Sequence, residues 1–205
     1  MSFDLKARTW DSDPEKRNRA SLFAVEITGI TAGSIINKAL EFGCGTGLVS
    51  FNLKDKIRDI VLADNSRGML EVLNEKINSA GASNMTIYHL NESNPLISAG
   101  TFDLVYTLLA IHHVKDLDRL FYDFGRIINP GGWLIIGDLY TEDGSFHIND
   151  PDFDGHRGFD PEDLKRRIIA EGFENLSIRT LDSIKKVTGS LVKEYPLFVL
   201  YGRKH

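Results

Sequence analysis

Lys38-Ala39-Leu40-Glu41-Phe42-Gly43-Cys44-Gly45-Thr46-Gly47 decides how the rest of this chain is read. The first five residues form a short apolar run with the length of a buried strand. The next five are a glycine cluster, and Leu48–Leu53 then begins a helix. A strand that turns through glycines into a helix is the start of a βαβ unit. Glycines at that turn let the backbone approach a ligand closely, and the following helix N-terminus offers free N–H groups to an anion.

The same alternation continues outward. Asp13-Pro14-Glu15 has the cap-then-proline pattern of a helix start, and Ala20, Phe23, Ala24, Ile27 and Ile30 follow at helical spacing. After the glycine cluster, Asp59–Ala63 predicts a second strand ending in Asp64. Met69, Leu70, Leu73 and Ile77 predict a helix closed by Gly81. Met85–Leu90 and Phe102–Leu108 predict two more strands. Leu117, Leu120, Phe121, Phe124 and Ile127 give a further helix, and Asn129-Pro130-Gly131-Gly132 gives a turn. Trp133–Gly137 is a fifth strand. The strand-like runs Leu176–Ile184 and Leu197–Tyr201 have no helical stripe between them, so they cannot be joined by a parallel crossover. The expectation is an α/β fold: a doubly wound, seven-stranded, mostly parallel sheet with an antiparallel C-terminal hairpin turned around Thr188-Gly189-Ser190.

With 205 residues, one domain spanning 1–205 is expected. The net charge of -5, with both signs interspersed, gives no bulk attraction for nucleic acid. Cys44 is the single cysteine, so an intramolecular disulfide is impossible and a reducing compartment fits. Met1–Trp10 lacks the apolar run of a secretory signal, and no stretch has the length of a membrane span. These features predict a cytoplasmic protein with no membrane or nucleic-acid partner.

In open parallel sheets, ligands bind at the carboxyl ends of the strands. The glycine loop occupies such an end, as does Asp64, placed where an acidic residue accepts hydrogen bonds from ribose. The competing role for Asp64 is to cap the helix that begins near Ser66. The loop reads G-x-G-x-G. Leu48 stands where a dinucleotide fingerprint has its third glycine, and the Lys-Ser/Thr pair of a phosphate loop is missing. Both departures favour a ligand without a pyrophosphate.

Taken together these segments resemble class I S-adenosylmethionine-dependent methyltransferases, in the type 11 group that includes ubiquinone-biosynthesis enzymes. Ala39–Gly47 resembles their first motif, Asp64-Asn65-Ser66-Arg67-Gly68-Met69-Leu70 their second, Phe102-Asp103-Leu104-Val105 with His112-His113-Val114 their fourth-strand region, and Arg126–Gly132 the turn before their fifth strand. The resemblance implies a Rossmann-like fold and S-adenosylmethionine as cofactor. It implies that Glu41, Phe42, Gly43, Cys44, Gly45, Thr46 and Gly47 line the methionine half. Asp64 would bind the ribose, Asn65 and Met69 would flank the adenine, and Leu108 would lie near the sulfonium. Asn91 stands where an aspartate commonly binds the adenine amino group, and Trp10 lies in the segment that folds over the cofactor. The motifs specify cofactor and fold rather than acceptor. A protein that binds the cofactor without catalysis, and a dinucleotide-dependent oxidoreductase, are the alternatives.

Displacement on a sulfonium needs alignment and a dry site, and a base only when the acceptor must lose a proton. His112, His113 and His147 are candidate catalytic or substrate-contacting groups. The competing role for the His112-His113 pair is loop-and-cap packing against the next helix. Neither is expected to be an indispensable base. The long connection 139–160 carries Tyr140, Phe146, His147, Phe153, His156 and Phe159, and is a candidate lid over a small-molecule acceptor. Residues 1–33 form an N-terminal helical cap. Asp150–Gly155 begins like a calcium loop, but Pro161 stands at its twelfth position. The spacing of His147 and His156 matches no metal motif, so no metal site is expected.

Overall fold

A computed structural model describes residues 3–150, 152–188 and 191–205. Its elements in chain order are α1 (Phe3–Trp10), α2 (Pro14–Ile30), β1 (Lys38–Phe42), α3 (Leu48–Leu53), β2 (Asp59–Asp64), α4 (Arg67–Ala80), β3 (Met85–His89), β4 (Phe102–Leu108), α5 (Leu117–Ile127), β5 (Ile128–Leu139), α6 (Pro161–Ala170), β6 (Phe173–Thr188) and β7 (Leu191–Lys204). The strands form a seven-stranded sheet in the order β3-β2-β1-β4-β5-β7-β6. The first four pairings are parallel and the last two antiparallel. The strand order reverses between β1 and β4, which opens a crevice at their carboxyl ends.

Alternation along the central strands builds two cores. Leu40, Val105 and Ile136 face one side, with Leu120 and Phe124 of α5. Ala39, Leu104 and Ile135 face the other, with Phe23 of α2 and Leu73 of α4. Side chains one residue apart point to opposite faces of a strand, so each buried strand feeds both layers.

The local signals act as their chemistry requires. Asp13 caps α2, its Oδ1 accepting from the Glu15 N–H at 2.9 Å, and Pro14 begins the helix. Gly81 ends α4 with φ +60°. Asp160 caps α6 in the same way as Asp13. Helix α1 docks on the start of α4, where Asp4 Oδ1 accepts from Ser66 Oγ at 2.6 Å and from the Gly68 N–H at 2.8 Å.

Three sequence expectations are corrected. Asn129–Gly132 is not a turn preceding the fifth strand but lies within β5. Pairing jumps from Phe102↔Ile128 to Leu104↔Trp133, leaving the four residues bulged opposite Asp103. β6 and β7 are much longer than their apolar runs, because cross-strand pairing carries polar residues such as Lys185↔Glu194 into the ladder. β3 stops one residue early, at His89. Thr188 pairs with Leu191, while Gly189 and Ser190, the expected hairpin turn, lie outside the described residues.

Candidate functional site

The glycine loop closes on β2 before it reaches any ligand. The N–H groups of Gly43 and Cys44 donate to the Ala63 carbonyl at 2.8 and 3.1 Å. A Cβ on Gly43, at φ +67°, would meet the Ala110 Cβ at 2.3 Å, so only glycine fits there. A Cβ on Gly45 would meet nothing nearer than Met69 Sδ at 3.9 Å. Gly45 borders a cavity of about 700 Å³ at the carboxyl ends of β1, β2 and β4, and its bare backbone faces that space.

Asp64 holds the loop and the start of α4 together. Its Oδ2 accepts from the Gly45 N–H at 2.7 Å and its Oδ1 from the Ser66 N–H at 2.8 Å. It does not cap α4; Ser66 does, accepting from the Met69 N–H. Burial pushes the Asp64 carboxyl up, against the N–H donors that pull it down. Glu41 lies deeper, its Oε2 accepting from the Ser50 N–H at 3.2 Å. Burial, reinforced by the charge of Asp64, pushes Glu41 up to about 8. Cys44 is buried beside these two acids and its thiol is pushed well up, which keeps it protonated and unreactive.

Trp10, Glu41, Phe42, Gly43, Cys44 and Gly45 all border the cavity, as do Asp64, Asn65, Met69 and Leu108. Thr46, Gly47 and Asn91 do not. The Thr46 hydroxyl donates to Asp11, and its carbonyl accepts from Lys76 Nζ at 2.7 Å. Gly47 is the αL residue that starts α3, packed under Leu73 and Leu62. The Asn91 Oδ1 accepts from the N–H groups of Ser93 and Asn94, so its side chain serves its own turn.

The three candidate histidines meet on the far side of the cavity. Asp138, fully buried on β5, accepts from His112 Nδ1–H at 2.7 Å. Burial, with His112 and His147 close by, pushes His113 down to about 3, and burial pushes His147 down to about 4. Both rings are therefore neutral near pH 7. The connection after β5 contributes Phe146, His147 and Asp150 to the cavity wall. Its remaining aromatics lie elsewhere. Phe159 joins the core, Tyr140 packs on Phe198, His156 Nε2 bonds the Val114 carbonyl at 2.9 Å, and Phe153 stacks on His147.

Several lining residues were not singled out from the sequence. Lys16 and Arg19 border the cavity from α2, on the apolar face that Ala20, Phe23 and Ile27 mark; a cation interrupting that stripe is the signal that could have found them. Lys186 arrives only because β6 runs long. Burial, with Lys6 and Arg19 nearby, holds it down at about 8. Leu109 follows β4 with φ +53°, a strained conformation for a non-glycine residue at the cavity wall.

Residues 40–136 match the methyltransferase domain family. An uncharacterized methyltransferase of Schizosaccharomyces pombe is 30% identical over 166 residues, covering 74% of this chain and 57% of that protein. The ubiquinone/menaquinone biosynthesis C-methyltransferase of Haemophilus ducreyi is 28% identical over 118 residues, covering 56% of this chain and 44% of that protein. Among solved structures, Haemonchus contortus phosphoethanolamine N-methyltransferase 2, in complex with S-adenosyl-L-methionine, superposes with a TM-score of 0.71 at 14% identity, over 100% of this chain and 60% of that one. Residues 40–136 carry a methyltransferase domain, and the family with its structural neighbours implies S-adenosylmethionine as cofactor, which weighs against the dinucleotide alternative. The chain spans only about half the length of these curated relatives. The residues present fit the family's cofactor. The bare Gly45 backbone leaves room for close approach, Glu41 and Asp64 offer carboxyl acceptors, and Met69 and Leu108 supply apolar walls.

Proposed function

We propose that this chain transfers the methyl group of S-adenosylmethionine to a small-molecule acceptor held between the glycine loop and the 139–160 connection. The observation that carries this is a cavity of about 700 Å³ bordered by Gly45 and Asp64 and also by Phe146 and His147. The first pair would face the cofactor and the second the acceptor. Bound there, the cofactor supplies an electrophilic methyl on a sulfonium.

The chain's own residues orient and enclose. Gly45 and Asp64 fix one end of the ligand. Leu108 and Leu109, at the end of β4, form the apolar wall at its middle. Trp10 and Phe3 of α1, edge to face at 6.0 Å, cover it from the N-terminal side. Phe146, edge to face with Tyr195 at 5.1 Å, covers it from the other. Walls on both sides shield the transferring group from bulk water. The net charge of -5 supports a small acceptor over a nucleic acid. Among the described residues no helix is long and apolar enough to cross a membrane. The lone buried Cys44 suits a reducing cytoplasm.

The test is incubation with isotopically labelled cofactor and a cell extract, followed by mass spectrometry. Label should enter a small molecule. Efficient labelling of RNA, DNA or protein instead would reject the acceptor class, and no transfer with intact cofactor binding would mark a binding protein.

A further inference from the structure

His112, His113 and His147 form a side-chain group that methyl transfer to a free nucleophile does not require. They come from two segments, the single turn Ile111–His113 after β4 and the turn Ser145–His147 after β5. One ring nitrogen from each lies within 4.8 Å of the others. The ring centres are 4.2 Å apart for His112 and His113, and 5.3 Å from each of these to His147.

Two further features concern where the free nitrogens go. Asp138 is fully buried and accepts from His112 Nδ1–H at 2.7 Å. It also accepts from the backbone N–H groups of Leu139 at 2.7 Å and His112 at 3.3 Å, so the carboxylate is itself fixed. That bond points Nδ1 at the carboxylate and leaves Nε2 as the ring nitrogen that can face a metal, the arrangement in which a carboxylate orients a metal-ligating imidazole. The Nε2 of His147 is buried and has no hydrogen-bond partner. Buried ring nitrogens are normally satisfied, and among the described residues no hydrogen bond joins the three rings.

The segments are also clamped to each other. The His156 N–H donates to the His112 carbonyl at 2.7 Å. The His147 ring stacks on Phe153, with centres 3.7 Å apart and planes 8° from parallel. The histidines are therefore held as a group by the fold.

We propose that His112, His113 and His147 bind one divalent transition-metal ion, with Asp138 orienting His112 and a fourth coordination position opening into the cavity. A set of three imidazoles selects zinc-like ions over calcium or magnesium, which take oxygen ligands. Three histidines with an open fourth position is an arrangement suited to a metal that also binds a substrate atom or water. Zinc–nitrogen bonds of about 2.0–2.1 Å put tetrahedral ligands about 3.3 Å apart, so the rings have to close by about 1.5 Å at most. All three side chains border the same cavity, which gives the ion its entry path. Asp138 and Asp150 face the group, as do the cations Lys6 and Lys186.

The test uses untagged full-length protein, stripped with a chelator and titrated with Co²⁺, whose visible absorption reports coordination. One saturable equivalent, displaced by Zn²⁺, is expected. His113→Ala and His147→Ala should each weaken it at least a hundredfold, and Asp138→Asn about ten- to a hundredfold. His205→Ala, at an exposed surface histidine, should leave it unchanged. Circular dichroism and S-adenosylhomocysteine affinity, measured on the same variants, should match the parent protein. Absence of a saturable equivalent, or one that survives His147→Ala, overturns the site. Co²⁺ binding without S-adenosylhomocysteine binding would leave the metal site standing and count against the methyltransferase function instead.

Discussion

The carboxylate of Asp64 accepts the Gly45 N–H at 2.7 Å, so the residue expected to hold the cofactor's ribose also shapes the glycine loop. The two β–α junctions are thereby one unit. Its second oxygen takes the Ser66 N–H and sets the start of α4. A single substitution at Asp64 therefore acts on ligand affinity and loop geometry together.

Asp64→Ala should weaken S-adenosylmethionine binding by about 1.5–3 kcal/mol for each charge-assisted hydrogen bond lost. Calorimetry on the folded variant measures this. Unchanged affinity would place the ribose elsewhere.

Gly43 and Gly45 should separate stability from binding. Gly43→Ala drives a Cβ into Ala110 at 2.3 Å and keeps φ at +67°, so overpacking of about 1–3 kcal/mol adds to about 1–2 kcal/mol of backbone strain. Gly45→Val meets open cavity, so the fold should survive with about 1–2 kcal/mol of backbone strain, while the cofactor is excluded. Denaturation curves and calorimetry on the two variants should give opposite patterns of damage. Equal stability in both would contradict the contact at Gly43.

Glu41 gives a pH signature. Its carboxyl is held at about 8 in the folded protein against an ordinary value of 4.5. Between those values the unfolded chain releases a proton that the folded chain keeps, so stability falls as pH rises through the window, by about 1.4 kcal/mol per unit at most. Glu41→Gln should remove this contribution. Urea denaturation at pH 5, 6.5 and 8 should show the variant gaining on the parent as pH rises; a constant difference would mean that Glu41 is ionised in the fold.

Asp138→Ala leaves three buried donors without their acceptor, the His112 ring N–H and the backbone N–H groups of His112 and Leu139. Each unpaired donor costs about 1–3 kcal/mol, so a loss of about 3 kcal/mol or more is expected by denaturant titration. A neutral result would show that water reaches this site.

Shortening the connection at 144–150 removes Phe146 and His147 from the cavity wall. Transfer of label to the acceptor should fall at least tenfold, with S-adenosylhomocysteine affinity within about threefold of the parent. Full transfer after the deletion would rule out a lid there.

The sequence by itself determined the order of elements and which residues form the glycine-loop end of the cavity. Lys38–Gly47 and Asp59–Ser66 are contiguous stretches whose strand, turn and helix signals are local, so a strand end that points at a ligand can be read without knowing the sheet. The antiparallel finish was legible for a similar reason, since Lys185–Pro196 has no helical stripe to make a crossover. What only the tertiary structure decided depends on residues far apart in the chain. The length of β6 and β7 is set by mutual pairing rather than by apolar runs, and that length is what carries Lys186 to the cavity. Asn91 was placed by motif position, but its side chain closes on the turn Asn91–Asn94, a local competition that spacing does not reveal. His112 and His147 are 35 positions apart, and their meeting at 5.3 Å follows from β4 and β5 being neighbours with their carboxyl ends on one edge. Motif spacing encodes what one segment does to its own backbone, whereas the histidine end of this cavity is built where the segments after β4 and β5 converge, and only packing fixes that.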